Sequence, residues 1–129
     1  MSSILGIDYG RRHVGLAIAD EAVRQALPWK SLEVKTSADF IQQLKLVIKT
    51  ESISKIVLGR PVKMTGEETI LTAEVEAVAK ELEVGLGVPI ILVDERLTSK
   101  GQQVTSRNFQ IDDHQLAARQ LLEDYLLKH

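Results

Sequence analysis

Two apolar runs of strand composition lie within the first twenty residues, and a short glycine-bounded turn separates them. Residues 3–9 and 13–19 are therefore predicted to be consecutive strands. Asp8 lies near the end of the first run. A carboxylate there either holds a divalent cation beside a phosphate or caps the turn with its own oxygens, and the local pattern leaves both roles open. The glycines around it leave room for a ligand or another backbone to approach.

The rest of the chain alternates between further strands and helices. We predict strands over 29–35, 54–58 and 89–93, and helices over 37–50, 66–83 and 112–127. The third strand opens after Pro28, and the fourth is expected to stop at Gly59-Arg60-Pro61. Thr65 and Glu68 are placed as a capping box for the second helix. The fifth strand is strongly apolar and is expected to be buried on both faces.

This order of elements predicts an α/β fold. The first three strands form an antiparallel meander, and the last two follow helices and so enter the sheet through right-handed parallel crossovers. The result is a mixed five-stranded sheet with helices on both faces. A length of 129 residues fits a single domain, 1–129.

Composition excludes some classes of function without selecting one. The formal net charge of −2 does not indicate a general affinity for nucleic acid, which leaves only a local basic patch as a candidate surface. The absence of cysteine excludes disulfides, thiol nucleophiles and thiolate zinc sites. No segment is typical of a signal peptide or long enough for a membrane span, so a soluble cytoplasmic protein with no membrane partner is expected.

Three acids lie at the ends of apolar strands. Asp8 ends the first strand, and Asp94 and Glu95 end the fifth. Adjacent parallel strands bring their carboxyl ends to one edge of a sheet, where ligands bind in open α/β sheets. Two carboxylates that meet there repel each other unless a proton or a cation bridges them, and Mg²⁺ is the usual bridge. With two such ions, hydrolysis of a phosphodiester becomes accessible.

Asp94 and Glu95 cannot both face Asp8, because consecutive residues of a strand point to opposite faces of the sheet. For Asp94 a structural role is favoured, in a local ion pair within Asp94-Glu95-Arg96 that caps a helix beginning near Thr98. For Glu95 the spacing supports a structural role and a metal-binding role equally.

Basic residues cluster at two points in the chain. Arg11, Arg12 and His13 lie in the first turn, while Arg60 and Lys63 lie in a glycine-bounded segment before the second helix. The first amides of that helix would favour a phosphate, although the segment lacks the Gly-Lys-Ser/Thr ending of a Walker loop. The simpler interpretation of both clusters is a solvated surface.

His114 lies on the inner face of the last helix, close to its start, and follows Asp112 and Asp113. A single histidine on an apolar face is more often a hydrogen-bonded core residue than a ligand. The helix dipole alone favours acids at this position. One of the three residues is a candidate for a site, and the spacing does not select which.

Four groups of residues, in order along nearly the whole chain, match the motifs of a known family. They are Gly6-Ile7-Asp8-Tyr9-Gly10 with Val14-Gly15-Leu16-Ala17, Ile56-Val57-Leu58-Gly59-Arg60-Pro61 with Met64 and Gly66, Asp94-Glu95-Arg96-Leu97-Thr98, and Leu116-Ala117-Ala118 leading to Asp124-Tyr125-Leu126. The chain resembles the YqgF (RuvX-type) family of Holliday junction resolvases, also described as pre-16S rRNA nucleases, with an RNase H-like fold. The combination is far more specific than any one motif.

The resemblance implies a metal-dependent nuclease acting on structured nucleic acid, either precursor rRNA or branched DNA, as a monomer or a homodimer. Asp8 and Glu95 match the family's acids, with Mg²⁺ or Mn²⁺ as the implied ion. The family's third acid falls at His114, one residue after Asp113, so either residue is a candidate third ligand or base. The residues implied in nucleic-acid binding are Arg11, Arg12, Arg60, Lys63 and Arg96.

Two departures from the family pattern bear on activity. An imidazole in place of the third acid lowers the negative charge of the site and should weaken Mg²⁺ binding. Alternatively, the helix shifts so that Asp113 supplies the ligand, or catalysis is weakened or lost. The connection from Thr98 to His114 is shorter than usual, and its only basic residues are Lys100 and Arg107, which predicts a reduced DNA footprint.

These departures keep a second class of function open, a non-catalytic protein on the same fold that binds RNA, ribosomes or a transcription factor. A nucleotide phosphotransferase of the actin–hexokinase type is less favoured. Its phosphate loop is similar to Asp8-Tyr9-Gly10, but it needs two such domains to enclose ATP, and this chain supplies one.

Overall fold

The structure is a computed structural model that describes residues 2–97 and 112–129. Its elements are strands β1 (Ser3–Asp8), β2 (His13–Asp20) and β3 (Ala26–Glu33), helix α1 (Ser37–Glu51), strand β4 (Ile53–Lys63), helix α2 (Ile70–Leu86), strand β5 (Ile90–Leu97) and helix α3 (Asp113–Lys128). The strands form one sheet in the order β3-β2-β1-β4-β5. β1, β2 and β3 pair antiparallel, whereas β4 pairs parallel with both β1 and β5. The predicted mixed sheet, a meander plus two parallel strands, is confirmed.

Helices cover both faces of this sheet, as predicted. α1 and α2 pack on one face, where Phe40 and Leu82 belong to the same buried cluster as Leu5 of β1. α3 packs on the other face, where Leu122 is buried in one cluster with Ile4. Because Ile4 and Leu5 are consecutive, the two clusters follow directly from the alternation of side chains along β1.

The third strand begins earlier than predicted, at Ala26 rather than at residue 29, and it ends at Glu33. Pro28 does not break it. β3 is an edge strand, and Pro28 lies opposite Ala17 where the register between β2 and β3 shifts. A proline is tolerated at an edge or at a bulge because no ladder hydrogen bond has to be made there.

The fourth strand also passes through its predicted stop and continues to Lys63. The pairing of β4 with β1 ends at Leu58, and beyond that point β4 pairs only with β5, where Pro61 lies opposite Glu95. β4 is thus one-sided where Pro61 occurs, which again is a tolerated position. Pairing with β5 overrides the local turn signal of Gly59-Arg60-Pro61.

The second helix begins at Ile70, and its capping box is formed by Thr69 and Thr72 rather than by Thr65 and Glu68. The predicted cap is wrong because the preceding residues fold back on β4. The Gly66 amide donates to the Lys63 carbonyl over 2.8 Å, and Gly66 takes a φ of +91°. Val62 bridges Glu68 in an antiparallel contact, so Glu68 belongs to this turn and not to the helix.

The fifth strand runs over Ile90–Leu97, and Asp94, Glu95 and Arg96 therefore lie within it. It forms the edge of the sheet beside β4, and Leu92 is 38% exposed, so the expectation that this strand is buried on both faces is wrong. The helix predicted near Thr98, together with Lys100 and Arg107, lies outside the described residues. Among the helices that the structure does describe, none has the length and apolar character needed to cross a membrane.

Candidate active site

Asp8 and Glu95 face each other across an intervening strand at the carboxyl edge of the sheet. Their strands are not adjacent, because β4 lies between β1 and β5. The two carboxyl groups nevertheless lie close enough for each to affect the pKa of the other, on the face that α3 covers. The strand alternation predicted that only one of Asp94 and Glu95 would face Asp8, and that one is Glu95.

Gly59 of β4 makes this approach possible. A Cβ atom at position 59 would lie 2.9 Å from Glu95 Oε2 and 2.6 Å from Leu121 Cδ1. Both distances are shorter than real Cβ contacts allow, so a side chain here would displace Glu95, Leu121 or both. The glycine therefore opens a gap over the middle strand through which Glu95 reaches towards Asp8.

The N-terminus of α3 brings His114 to the same point. Gly15 of β2 lies directly beneath it, and a Cβ there would overlap the backbone carbon and oxygen of His114. Asp112 caps the helix by accepting from the Gln115 amide over 2.9 Å, and its other oxygen accepts from the Ser31 hydroxyl on β3. The first turn of α3 is thus fixed to the sheet both by close backbone packing and by its cap.

His114 and Asp8 are hydrogen-bonded, with Nδ1 of the imidazole 2.9 Å from Oδ2 of the carboxylate. A carboxylate accepts, so Nδ1 carries the proton, and in a neutral imidazole Nε2 then remains an acceptor. The Asp8 side chain is only 16% exposed and that of His114 is 44% exposed, so the histidine is the more open of the two to solvent.

Burial is the main cause of altered protonation in this group. Burial raises the pKa of Asp8, although the hydrogen bond and charge of His114 oppose the change. Burial, followed by the charge of Asp8 and a hydrogen bond to it, raises the pKa of Glu95 to about 7. Two buried carboxyl groups therefore share a site in which ionisation of both is unfavourable without a cation.

A cleft of about 500 Å³ opens over these residues. Asp8, Glu95 and His114 all contribute to its lining, beside apolar surface from Tyr9, Pro61 and Leu71. Its volume is within the usual range for small-molecule and cofactor sites. The described residues contain no group of three or more His, Asp or Glu side chains already arranged as metal ligands. The donors present, two facing carboxyl groups and an imidazole, are of the type that Mg²⁺ or Mn²⁺ accepts.

Asp113 is exposed at the first position of α3, and it is His114 that contacts Asp8. The helix does not shift to place Asp113 on the carboxylate pair. The structure thus brings together Asp8, Glu95 and His114 of the predicted catalytic residues.

Two of the predicted phosphate-binding arginines are engaged with carboxylates. Arg11 makes two bonds to Glu74, of 2.6 and 3.1 Å. Arg60 lies on the opposite face of the sheet from Glu95 and binds three acids at 2.7 to 3.1 Å, namely Glu68, Glu76 and Asp94. Asp94 therefore has the structural role favoured for it, but its partner is Arg60 and not Arg96.

The other predicted basic residues, Arg12, Lys63 and Arg96, are exposed. Arg96 donates through Nη1 to the Lys63 carbonyl over 3.4 Å, and a Cβ on Gly66 would collide with this guanidinium. Lys63 and Arg96 therefore lie together at the end of β4 and β5, whereas Arg12 lies in the turn between β1 and β2.

The sequence analysis missed Gly59 and the apolar part of the cleft. A glycine inside a strand is a signal of close approach by another group, but the local sequence Gly59-Arg60-Pro61 predicts a turn instead. Tyr9 and Pro61 belong to two of the matching motif groups and Leu71 to the second helix, but only the folded chain brings the three to one cleft.

Comparison with known proteins places the chain in a family. A family model described as "RuvX: Holliday junction resolvase" matches residues 2–128. A relative from Maridesulfovibrio salexigens, described as "Putative pre-16S rRNA nuclease", is 41% identical over 96 residues, which cover 74% of this chain and 71% of the relative. A relative from Chloroflexus aurantiacus with the same description is 33% identical over 132 residues, covering 95% of this chain and 85% of its own length.

The fold is similar to that of a solved structure, "T. thermophilus RuvC in complex with Holliday junction substrate", with a TM-score of 0.65 at 14% identity. That similarity covers 99% of this chain and 95% of the RuvC chain. It supports the RNase H-like architecture predicted from the sequence. Taken with the family match over nearly the whole chain, the finding is that this protein belongs to the RuvX family.

Proposed function

We propose that this chain is a metal-dependent nuclease that hydrolyses phosphodiester bonds in structured nucleic acid. The observation that carries the proposal is the meeting of Asp8 and Glu95 across Gly59, with His114 bonded to Asp8. Nuclease activity is what the family and its relatives are named for. The substrates in those names, precursor 16S rRNA and the Holliday junction, are the two candidates for this chain.

Asp8 and Glu95 are the residues that would hold a divalent metal ion, Mg²⁺ or Mn²⁺. Their carboxyl groups are buried beside each other with no arginine or lysine bound to them in residues 2–97 and 112–129, which is the situation that such an ion relieves. When bound, the ion would activate the attacking water and stabilise the leaving oxygen.

His114 has two further roles in this proposal. Its Nδ1–H orients the Asp8 carboxylate, and its Nε2 remains available to accept a proton from the attacking water, as a general base does. To serve as a third ligand instead, the imidazole would have to give up its bond to Asp8 and turn a ring nitrogen towards the ion. Asp113, exposed on the same turn, has the weaker claim to either role.

Arg12, Lys63 and Arg96 are the residues proposed to contact the phosphate backbone, because they are exposed near the strand ends that form the cleft. Arg60 would reach a phosphate only by giving up carboxylates that it binds here, whereas Arg11 lines the cleft and is bound to Glu74 through Nε and Nη2. Precursor rRNA or branched DNA is the proposed partner.

The test is cleavage of a precursor 16S rRNA fragment and of a four-way DNA junction, each with Mg²⁺ and with Mn²⁺. Wild type should cut at least one of them, and Asp8→Asn should lower that rate by at least about 100-fold. Asp94→Asn is the matched control, since Asp94 lies on the other face of the sheet. Equal trace activity in wild type and Asp8→Asn contradicts the proposal.

A second candidate is a protein that binds nucleic acid on this fold without cutting it. It is favoured by the imidazole of His114 where the family's third acid is expected, and by the lack of a ready-made three-ligand cluster among residues 2–97 and 112–129. Calorimetric titration separates the two. Mn²⁺ binding that Asp8→Asn abolishes supports the nuclease, while RNA binding without Mn²⁺ binding supports this second candidate.

A further inference from the structure

The cleft over the carboxylate pair is lined by two chemically different halves. One half is formed by the ionisable groups of Asp8, Glu95 and His114. The rest of the lining consists of Tyr9, Leu71 and the buried Pro61, together with Gly10, Gly59 and Arg11, whose guanidinium is bound to Glu74. A phosphate and a divalent ion account for the first half only. The second half lies beside the reacting groups and has no role in the function proposed above.

This apolar wall, formed by Tyr9, Pro61 and Leu71, is held in place from behind. The ring of Tyr9 packs on Phe40 of α1, with ring centroids 5.8 Å apart and planes inclined by 48°. The carbonyl of Pro61 accepts a hydrogen bond from the hydroxyl of Thr72, a fully buried residue next to Leu71. Tyr9 directly follows β1, Pro61 belongs to β4 and Leu71 to the first turn of α2, so three neighbouring parts of the fold form the wall.

The chemistry of the wall suits the face of a nucleobase. Bases stack on aromatic and apolar side chains with little regard to sequence. In an intact duplex both faces of each base are covered by neighbouring bases, so a paired base cannot lie against this wall. A base that is unpaired, in a bulge, a loop or at a branch point, has a free face and is the kind that proteins splay out and stack.

We propose that the apolar wall receives an unpaired nucleobase adjacent to the scissile phosphate, so that the substrate class is a strand interrupted by an unpaired nucleotide. The inference rests on the proposed nuclease function, because it takes the phosphate to lie at Asp8 and Glu95. The cleft volume of about 500 Å³ accommodates a ligand of nucleotide size. Tyr9 and Leu71 are then residues that determine specificity for unpaired substrate.

The experiment uses a duplex that carries one 2-aminopurine nucleotide in three forms: unpaired as a bulge, paired within the duplex, and replaced by an abasic bulge. Each is made in RNA and in DNA. Binding is measured by anisotropy in Ca²⁺, stacking by quenching of 2-aminopurine fluorescence, and cleavage in Mn²⁺. Wild type should bind the 2-aminopurine bulge about tenfold more tightly than the abasic bulge, with quenching only for the bulge.

Variants identify the wall as the cause. Tyr9→Leu and Leu71→Ala should each reduce the preference for the base over the abasic site, whereas Tyr9→Phe should retain it. Ile70→Ala is the matched control, since Ile70 is next to Leu71 but 80% exposed and outside the cleft lining. Thermal melting of each variant verifies that the packing of Tyr9 on Phe40 survives.

The outcomes separate this inference from the nuclease proposal. If wild type binds and cuts the abasic and base-containing bulges equally, the base subsite is wrong and the nuclease proposal stands. If wild type prefers the paired duplex, the inference is likewise overturned. If no form is bound or cut, both proposals fail together. A preference that Tyr9→Leu abolishes and Tyr9→Phe retains supports the subsite.

Discussion

Asp94 and Glu95 are neighbours on β5, yet they belong to opposite kinds of environment. Asp94 binds Arg60 over 3.0 Å, and the same guanidinium also holds Glu68 and Glu76. Glu95, on the other face, meets the carboxyl group of Asp8 and has no arginine or lysine bound to it in the described part of the chain. One acid has a permanent cation beside it, and the other has a second acid.

The difference distinguishes an acid held in an ion pair, Asp94, from an acid placed beside a second acid, Glu95. Around Arg60 the three acids share one guanidinium, and the cluster joins α2, β4 and β5. Around Asp8 the described residues place no arginine or lysine on the two acids, only the imidazole of His114, and burial with the charge of Asp8 raises the pKa of Glu95 to about 7. Under the function proposed above, this is the pair of acids that would bind a cation. The comparison therefore predicts that changes on the two faces of the sheet have unequal effects.

The largest effect is expected from Gly15→Ala, which attacks the face that carries the site. The added methyl group would overlap backbone atoms of His114. Backbone atoms cannot relieve such a clash by a change of rotamer, as a side chain can. We expect a loss of about 3 kcal/mol in the free energy of unfolding, with cleavage lost as His114 moves from Asp8.

Gly85→Ala is the control on the other face. Its Cβ would lie 3.2 Å from Ile41 Cγ2, and alanine is about 1 kcal/mol better than glycine inside a helix. Thermal melting and cleavage assays measure both variants. Equal melting temperatures for Gly15→Ala and wild type would show that α3 is not seated on β2 as closely as described.

Glu95→Gln tests the comparison at its centre. Removing this charge should lower the cleavage rate by at least about 100-fold, because it removes a ligand and its transition-state stabilisation. Asp94→Asn, one residue away, should leave the rate within about twofold. Single-turnover kinetics measure both, and a larger loss in Asp94→Asn than in Glu95→Gln would reverse the assignment of the two faces.

The pH dependence of stability sharpens the same contrast. Glu95 titrates near its ordinary value of 4.5 in the unfolded chain and has a pKa of about 7 when folded. Between these pH values Glu95 binds more protons in the folded state than in the unfolded state. Its contribution to the free energy of unfolding therefore falls as pH rises from about 4.5 to about 7. Denaturant titrations at several pH values measure the fall. The Glu95→Gln variant should lose this fall in stability with pH, and the Asp94→Asn variant should retain it. If the free energy of unfolding of Glu95→Gln depends on pH as that of wild type does, the prediction is wrong.

A smaller effect is expected from His114→Asp, which adds the third acid that the family pattern contains. Each extra anionic ligand favours a hard divalent ion, so Mn²⁺ affinity should increase by about tenfold in calorimetric titrations. His114→Asn, with no added charge, should not show the increase. If instead Asp113→Asn abolishes Mn²⁺ binding, Asp113 is the ligand and His114 is not.

The smallest effects concern the arginines. Arg12→Gln should weaken nucleic-acid binding and reduce the slope of log affinity against log salt by about 1, as expected for one lost phosphate contact. Arg60→Gln should leave that slope unchanged and lower the melting temperature slightly, since Arg60 is bound to acids in this fold. A loss of salt slope in Arg60→Gln would show that it exchanges carboxylates for phosphate.

Sequence reasoning was sufficient where structure is local. Periodicity and strand alternation are enough to predict the meander, the two parallel strands beside it, and the placement of Asp94 and Glu95 on opposite faces of the sheet. It failed at Pro61 and at Thr65, where pairing with β5 and the turn of Gly66 override local signals. The partners of Arg60 could not be predicted, because they come from α2 and β5 and meet only in the folded chain.

The site itself was half predictable. Asp8 and Glu95 could be expected at one edge of the sheet, but the order that puts β4 between them could not. The gap at Gly59 could not be predicted either, because it depends on how β1, β4 and β5 lie beside one another. The rotation of α3 about its axis decides that His114, and not Asp113, contacts Asp8. Close packing of the helix backbone on Gly15 fixes this rotation.

The bond between Asp8 and His114 joins residues that are 106 positions apart in the chain. Contacts of such sequence separation form late, because the loop between them must close before they contribute. During synthesis Asp8 leaves the ribosome long before α3, the helix that carries His114. A chain in which α3 has not yet been made therefore lacks the bond between His114 and Asp8.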